Sequence, residues 1–115
     1  MKENHMEGLY AVYYTGSAGA GAFGLLLSKG NVWGVDPTGG DVSGTYALRP
    51  DGGLDLALTF TFAAGAVLVT GQTLAAPMVV PANVRIMAAT LAGGQQAVQL
   101  PMGPVMVRVR KKASI

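Results

Sequence analysis

The chain has no cysteine, a single histidine and few charges, with Asp, Glu, Lys and Arg making up only 12% of its residues. Without cysteine there is no disulfide, no thiolate nucleophile and no cysteine-ligated zinc, a composition that suits the reducing cytoplasm. The histidine, His5, lies in the opening MKENHMEGLY, outside any periodic segment, and so offers no buried general base. That opening has no apolar run behind its positive residue and does not read as a secretory signal. The acids are equally unpromising for catalysis. Glu3 and Glu7 belong to the leader, while Asp36, Asp41, Asp51 and Asp55 fall in or beside turns, where Asp side chains bond neighbouring backbone amides. No nucleophile, base or metal-ligand set recurs at a useful spacing, so no enzyme, metal or cofactor is expected. Long helical periodicity is also missing; a short helix around residues 72–76 is the most the pattern allows.

What is present is alternation. Half of the residues are apolar and glycine reaches 17, a mixture far from the charged, apolar-poor composition of disordered chains. The clearest segment is LDLALTFTF, residues 54–62. Leu54, Leu56, Leu58, Phe60 and Phe62 share one parity and Asp55, Ala57, Thr59 and Thr61 the other, the period of two that sends alternate side chains to opposite faces of a strand. The turn Arg49-Pro50-Asp51-Gly52-Gly53 joins it to residues 42–48 (VSGTYAL) as a hairpin. Upstream, residues 8–14 (GLYAVYY) form a first strand with Tyr10, Val12 and Tyr14 on one face. Residues 23–28 and 32–35 form two more around Lys29-Gly30-Asn31, and the lone tryptophan, Trp33, reads as packing. Downstream, residues 66–70 read as a short strand and residues 71–81 as the least regular stretch, with Pro77 and Pro81 confining them to loop, edge or extended conformation. A strand follows from Val84 to about Leu91, and then residues 97–100 and 105–109, the latter amphipathic.

Several sharper readings are weaker than plain strand chemistry. The uncharged stretch 56–84 is long enough for a membrane span, but its threonines, the Thr70-Gly71-Gln72-Thr73 cluster and the two prolines break any single helix. Gly16, Gly19 and Gly21 lack the following helix that a dinucleotide loop requires. Asp36 and Asp41 lack the further oxygens of a calcium loop. Arg108, Arg110, Lys111 and Lys112 make a local basic end, without the broad basic face or interleaved aromatics of a nucleic-acid binder. Nucleic acid and membrane are therefore disfavoured as partners.

About eight short strands punctuated by turns predict an all-β fold, a small closed antiparallel β-barrel with at most one short helix. The expected organisation is a flexible leader (1–7), one barrel domain (8–110) and a basic C-terminal tail (111–115). An interior of this size holds packed side chains or one small ligand. Tyr10, Val12, Leu54, Leu56, Leu58, Phe60 and Phe62 are the candidate lining of an apolar ligand cavity. The alternatives are a barrel enzyme using Asp36, Asp41 and Tyr46 at the mouth, or a self-associating or membrane-associated structural module.

The segments GLYAVYY, GAGAFGLLLSKGNVWGVD, GGDVSGTYAL and VMVRVR together resemble the GrlR-like family of small bacterial proteins, over most of residues 8–110. The resemblance implies a compact eight-stranded, lipocalin- or calycin-like barrel, a homodimer, a mostly apolar cavity and a regulatory role. The family's namesake is a negative regulator of type III secretion that binds a helix-turn-helix transcription activator through an acidic loop before the fifth strand. The matching positions here are Asp51, in Pro50-Asp51-Gly52-Gly53, and Asp55 on the strand, so this chain carries fewer acids than that pattern. The resemblance thus implies a protein partner at Asp51 and Asp55.

Overall fold

The alternation of residues 54–62 becomes strand β5 (Leu54–Phe62), with Leu54, Leu56 and Leu58 buried and Asp55 and Ala57 exposed. The structure, a computed structural model, describes residues 6–36 and 40–115. The leader histidine His5 and the turn residues Pro37 and Gly39 lie outside the described residues. Seven further strands surround β5: β1 (Gly8–Gly16), β2 (Gly19–Ser28), β3 (Asn31–Val35), β4 (Asp41–Leu48), β6 (Met78–Ile86), β7 (Gln95–Leu100) and β8 (Gly103–Ser114). One short helix, α1 (Ala88–Leu91), joins β6 to β7.

All pairings are antiparallel, in the order β6-β5-β4-β3-β2-β1-β8-β7. The first six strands form a meander and β8 returns to pair with β1, giving a nearly closed barrel. Turn chemistry sets the register. Lys29 and Gly30 both take positive φ (52° and 81°) in the two-residue β2–β3 connection, the conformation whose twist matches flanking strands. In the β4–β5 turn the Arg49 N–H donates to the Gly53 carbonyl (2.8 Å), and the Gly53 N–H donates to Asp51 Oδ1 (2.9 Å).

The core is the inner face. Tyr10 and Val12 from β1, Leu25 and Leu27 from β2, Val32 from β3, Val42 and Tyr46 from β4, Leu54, Leu56 and Leu58 from β5, Val84 and Ile86 from β6, Val98 from β7 and Val105 and Val107 from β8 form one buried cluster. Each strand contributes by the same parity rule, and burying each such side chain contributes about 1.5–3 kcal/mol against the entropy of ordering the chain.

Strands β6 and β7 are the ends of the sheet order, and a side chain spans the gap between them. The Gln96 amide accepts from the Met87 N–H (2.7 Å, to Oε1) and donates through Nε2 to the Arg85 carbonyl (2.9 Å). It supplies the acceptor and donor that a ladder partner would otherwise present. Gln96→Ala should therefore lower stability by about 1–2 kcal/mol in urea titration, the scale of two partly solvated hydrogen bonds. An unchanged midpoint would show that the seam is held by packing alone.

The downstream half departs from the sequence expectations in four places. Residues 66–70 are not a strand: Val67 makes a single bridge to Thr73 inside a compact loop. Residues 72–76 form the return arm of that loop and no helix. The strand expected from Val84 to Leu91 instead runs from Met78, inside the stretch expected to be irregular, to Ile86, and α1 takes over, closed by Gly93 at φ 113°. Strand β8 runs through Lys111 and Lys112 to Ser114, pairing with β1 across a register shift at Leu9 and Tyr10. Among the described residues no helix is long and apolar enough to cross a membrane.

Candidate ligand cavity

The inward side chains do not fill the barrel. They enclose a cavity of about 380 Å³, within the range of small-molecule sites. Room at its upper end comes from the small residues Ala20, Gly21 and Ala22 at the start of β2. All seven residues singled out from the sequence line it: Tyr10, Val12, Leu54, Leu56, Leu58, Phe60 and Phe62. Sequence reasoning missed other parts of the wall. Phe23, Leu25 and Leu27 alternate inward along β2, a parity already visible in AFGLLL, and Val105, Val107 and Val109 do the same along β8.

At the lower end α1 contributes Leu91 to the cavity wall. There the Tyr10 hydroxyl donates to the Met6 carbonyl (2.6 Å), and burial, followed by nearby Tyr46, raises its pKa above the usual phenol value. Glu7 accepts the Lys29 backbone N–H (2.6 Å), tying the N-terminal approach to the β2–β3 turn. Tyr46 is buried, and its hydroxyl has no hydrogen-bond partner. Tyr46→Phe should accordingly stabilise the fold by about 1 kcal/mol, because it removes a desolvated, unsatisfied group and leaves the ring in place. A loss of stability on thermal melting would assign that hydroxyl a partner.

The upper end is the mouth. Residues 63–77, between β5 and β6, fold back as a miniature hairpin: the Gly65 N–H donates to the Leu74 carbonyl (2.7 Å), Leu74 N–H to Ala66 (2.9 Å) and Leu68 N–H to Gln72 (2.8 Å). Leu68 and Leu74 are buried beneath it. It is fastened to two turns across the barrel. The Ala18 N–H donates to the Val69 carbonyl (2.6 Å), and Gln72 Nε2 donates to the Met102 carbonyl (2.9 Å). Ala66, Val67, Leu68, Val69 and Thr70 form the roof of the cavity.

Beside this roof lies an aromatic wall. Tyr14 tilts against Phe23 with centroids 5.6 Å apart, Phe23 meets Phe60 edge-on at 6.5 Å, and Phe60 stacks on Phe62 at 6.1 Å. The Tyr14 ring lies over Gly21, where a Cβ would come within 2.6 Å of its Cζ and Oη, so the missing side chain fixes the ring's place. Its hydroxyl donates to Asp36 Oδ2 at 3.4 Å, at the end of β3. Burial, and then the Asp36 charge, raise the Tyr14 pKa.

The other acids sit elsewhere. Asp41 opens β4 on its exposed face, so Asp36 and Asp41 do not converge, and Tyr46 is deep in the core and not at the mouth. Asp55 is shared between Arg49 (3.3 Å) and Arg85 (3.3 Å), and Asp51 pairs with Arg49 (3.3 Å). The Gly53 N–H, followed by Arg49, holds the Asp51 carboxyl below its usual range. Two carboxylates and two guanidiniums leave this turn without net negative charge. Among the described residues no cluster of three or more His, Asp or Glu could hold a metal.

Comparison of the chain with protein-family models, with curated proteins and with solved structures found no match. The geometry of the barrel is therefore what bears on its role.

Proposed function

We propose that this protein is a non-enzymatic, regulatory β-barrel of lipocalin-like type that acts by holding an apolar small ligand and by protein association, in the manner of the GrlR-like negative regulators it resembles. The observation that supports the reading is the cavity of about 380 Å³, walled almost wholly by aliphatic and aromatic side chains and roofed by a folded loop. A core that needed only stability would close on itself, since unfilled volume in an interior costs packing energy. Native mass spectrometry under gentle and then denaturing conditions tests the reading: a reproducible, releasable small mass is expected, and a chain that stays bare after exposure to apolar compounds would remove it.

Self-association is the second part of the proposal, supported by the outer face of β1, β2 and β3. Leu9, Leu26 and Trp33 are register neighbours there, 47%, 37% and 50% exposed, with Tyr13 and Val35 on the same face. A contiguous apolar row of this kind marks an interaction surface on a chain with so little surface charge. Trp33→Glu should convert a dimer into a monomer in sedimentation velocity while leaving the far-UV circular dichroism unchanged. A dimer that survives the substitution would place the interface elsewhere. The route through Asp51 and Asp55 to a basic activator surface has less support, because both acids are already paired with arginine.

A further inference from the structure

Resting on the reading of the barrel as an apolar-ligand binder, we propose that its ligand is a single-chain, non-anionic lipid: one unbranched hydrocarbon chain of about a dozen carbons along the barrel axis, its head group at the roof end. Shape makes the first argument. The cavity wall takes in all five same-parity residues of β5, from Leu54 at the lower end to Phe62 at the mouth. Eight residue steps of about 3.4 Å, on a strand tilted about 40° to the axis, carry the cavity about 20 Å along the barrel. Its volume of about 380 Å³, spread over that length, leaves a mean cross-section of about 20 Å². That is the width of one extended polymethylene chain, and a fused-ring ligand needs more. A methylene takes up about the room of one water molecule in the liquid, about 30 Å³, so the same volume holds about a dozen carbons in line.

The wall also has a direction. At the lower end Leu27, Leu54 and Ile86 are 2%, 3% and 5% exposed and Leu91 of α1 joins them, so a terminal methyl group there meets branched aliphatic side chains shielded from water. The polar side chains of the wall, apart from Tyr10, are Tyr14, Asp36 and Thr70, and all three stand at the upper end. The Tyr10 hydroxyl is taken by the Met6 carbonyl (2.6 Å). A head group therefore finds polar neighbours at the roof end and none at the other. Charge narrows the head group further. Among the described residues of the wall there is no lysine, arginine or histidine, so a carboxylate or phosphate head would give up water with no cation to receive it.

The test is isothermal titration calorimetry of the full chain with octyl, decyl, dodecyl and tetradecyl maltoside, each below its micellar range. Affinity should rise about fourfold per methylene from octyl to dodecyl, the increment of a buried CH₂, and level off at tetradecyl. Cyclohexylhexyl maltoside has the same head and the same carbon count as the dodecyl compound but ends in a ring, and it should bind about tenfold or more weakly. Dodecanoate should also be weaker than the dodecyl maltoside, by about tenfold. Leu91→Ala, which deepens the lower end, should let the tetradecyl compound overtake the dodecyl. Cyclohexylhexyl maltoside binding as tightly as the dodecyl compound, or an affinity that stops rising at octyl, overturns the single chain. Dodecanoate binding as tightly as dodecyl maltoside overturns the non-anionic head, and a dodecyl limit unmoved by Leu91→Ala overturns the direction of the chain. If neither the dodecyl nor the cyclohexylhexyl compound binds, the cavity reading itself falls. A melting curve of the variant separates lost binding from lost folding.

Discussion

Gly44→Ala is expected to lower the melting temperature by about 15 °C, the equivalent of about 3 kcal/mol in a domain of this size. Gly44 lies in the middle of β4, opposite Val32 on β3 and Leu58 on β5. A Cβ there would fall 1.9 Å from the Ala57 carbonyl oxygen, 2.9 Å from its carbonyl carbon and 3.0 Å from the Leu58 Cα. All three are backbone atoms, so no rotamer change relieves the contact, and β4 must pull away from the strand that contributes most to the core. Gly24 on β2 is the control, because a Cβ at that position meets no atom within 4 Å. Gly24→Ala should be neutral or stabilising by about 0.5 kcal/mol through the lower entropy of the unfolded chain. Equal melting losses for the two alanines would refute the close-approach argument.

Leu74→Ala is expected to cost about 2–3 kcal/mol and to loosen the roof of the cavity before it unfolds the barrel. Leu74 is 6% exposed and sits in the return arm of the hairpin formed by residues 63–77, with Leu68 the other buried anchor. The rest of that hairpin is held by hydrogen bonds near the surface, each contributing about 1 kcal/mol or less. Truncating the anchor removes the term that offsets the entropy of ordering the loop. Native-state hydrogen exchange should show it: the Leu68 and Ala18 amides, which bond to Gln72 and Val69, should exchange faster, while amides in β4 and β5 keep near-global protection. A bound apolar ligand should also leave faster. Uniform acceleration at every amide would instead mean that the roof and the barrel open as one unit.

The barrel was legible in the sequence wherever one face of a strand is buried. Residues 54–62 carry five large apolar side chains on one parity, and the whole set points inward, because a slip of one residue would turn all five to solvent. The same argument placed Tyr10 and Val12. The roof was not legible. Ala66-Val67-Leu68-Val69 has strand composition, but it pairs only with its own short return arm at Gln72–Leu74, the loop is tied to the barrel through Ala18 at Val69 and Met102 at Gln72, both far away in the chain, and only Gly65 and Gly71 at positive φ mark the turns that fold it. The helix after Ile86 spans four residues, too few for a 3.6-residue period to register. Lys111 and Lys112 read as a tail because charge favours solvent, yet an exposed strand face accepts lysine without penalty once β1 supplies the ladder. Asp36 read as turn chemistry or, in the enzyme alternative, as a mouth group beside Asp41 and Tyr46. Its place in the cavity wall depends on Tyr14, 22 residues earlier, and on the ring's fit over Gly21.

The pairing of β1 with β8 also governs how the molecule comes into being. The first strand begins at Gly8 and its partner ends at Ser114, so the barrel wall cannot be completed until both of these distant segments are available. During synthesis the β1–β6 meander forms with one open flank, and its inner face stays wet until the last strand arrives. A closure spanning about a hundred residues carries a high entropic cost before any contact offsets it, which puts folding in the slow, millisecond-to-second regime of non-local β topologies. Residues 103–114 thus act as the final step of assembly, and a chain ending short of Gly103 would leave β1 as an unpaired edge, open to strand addition by another molecule.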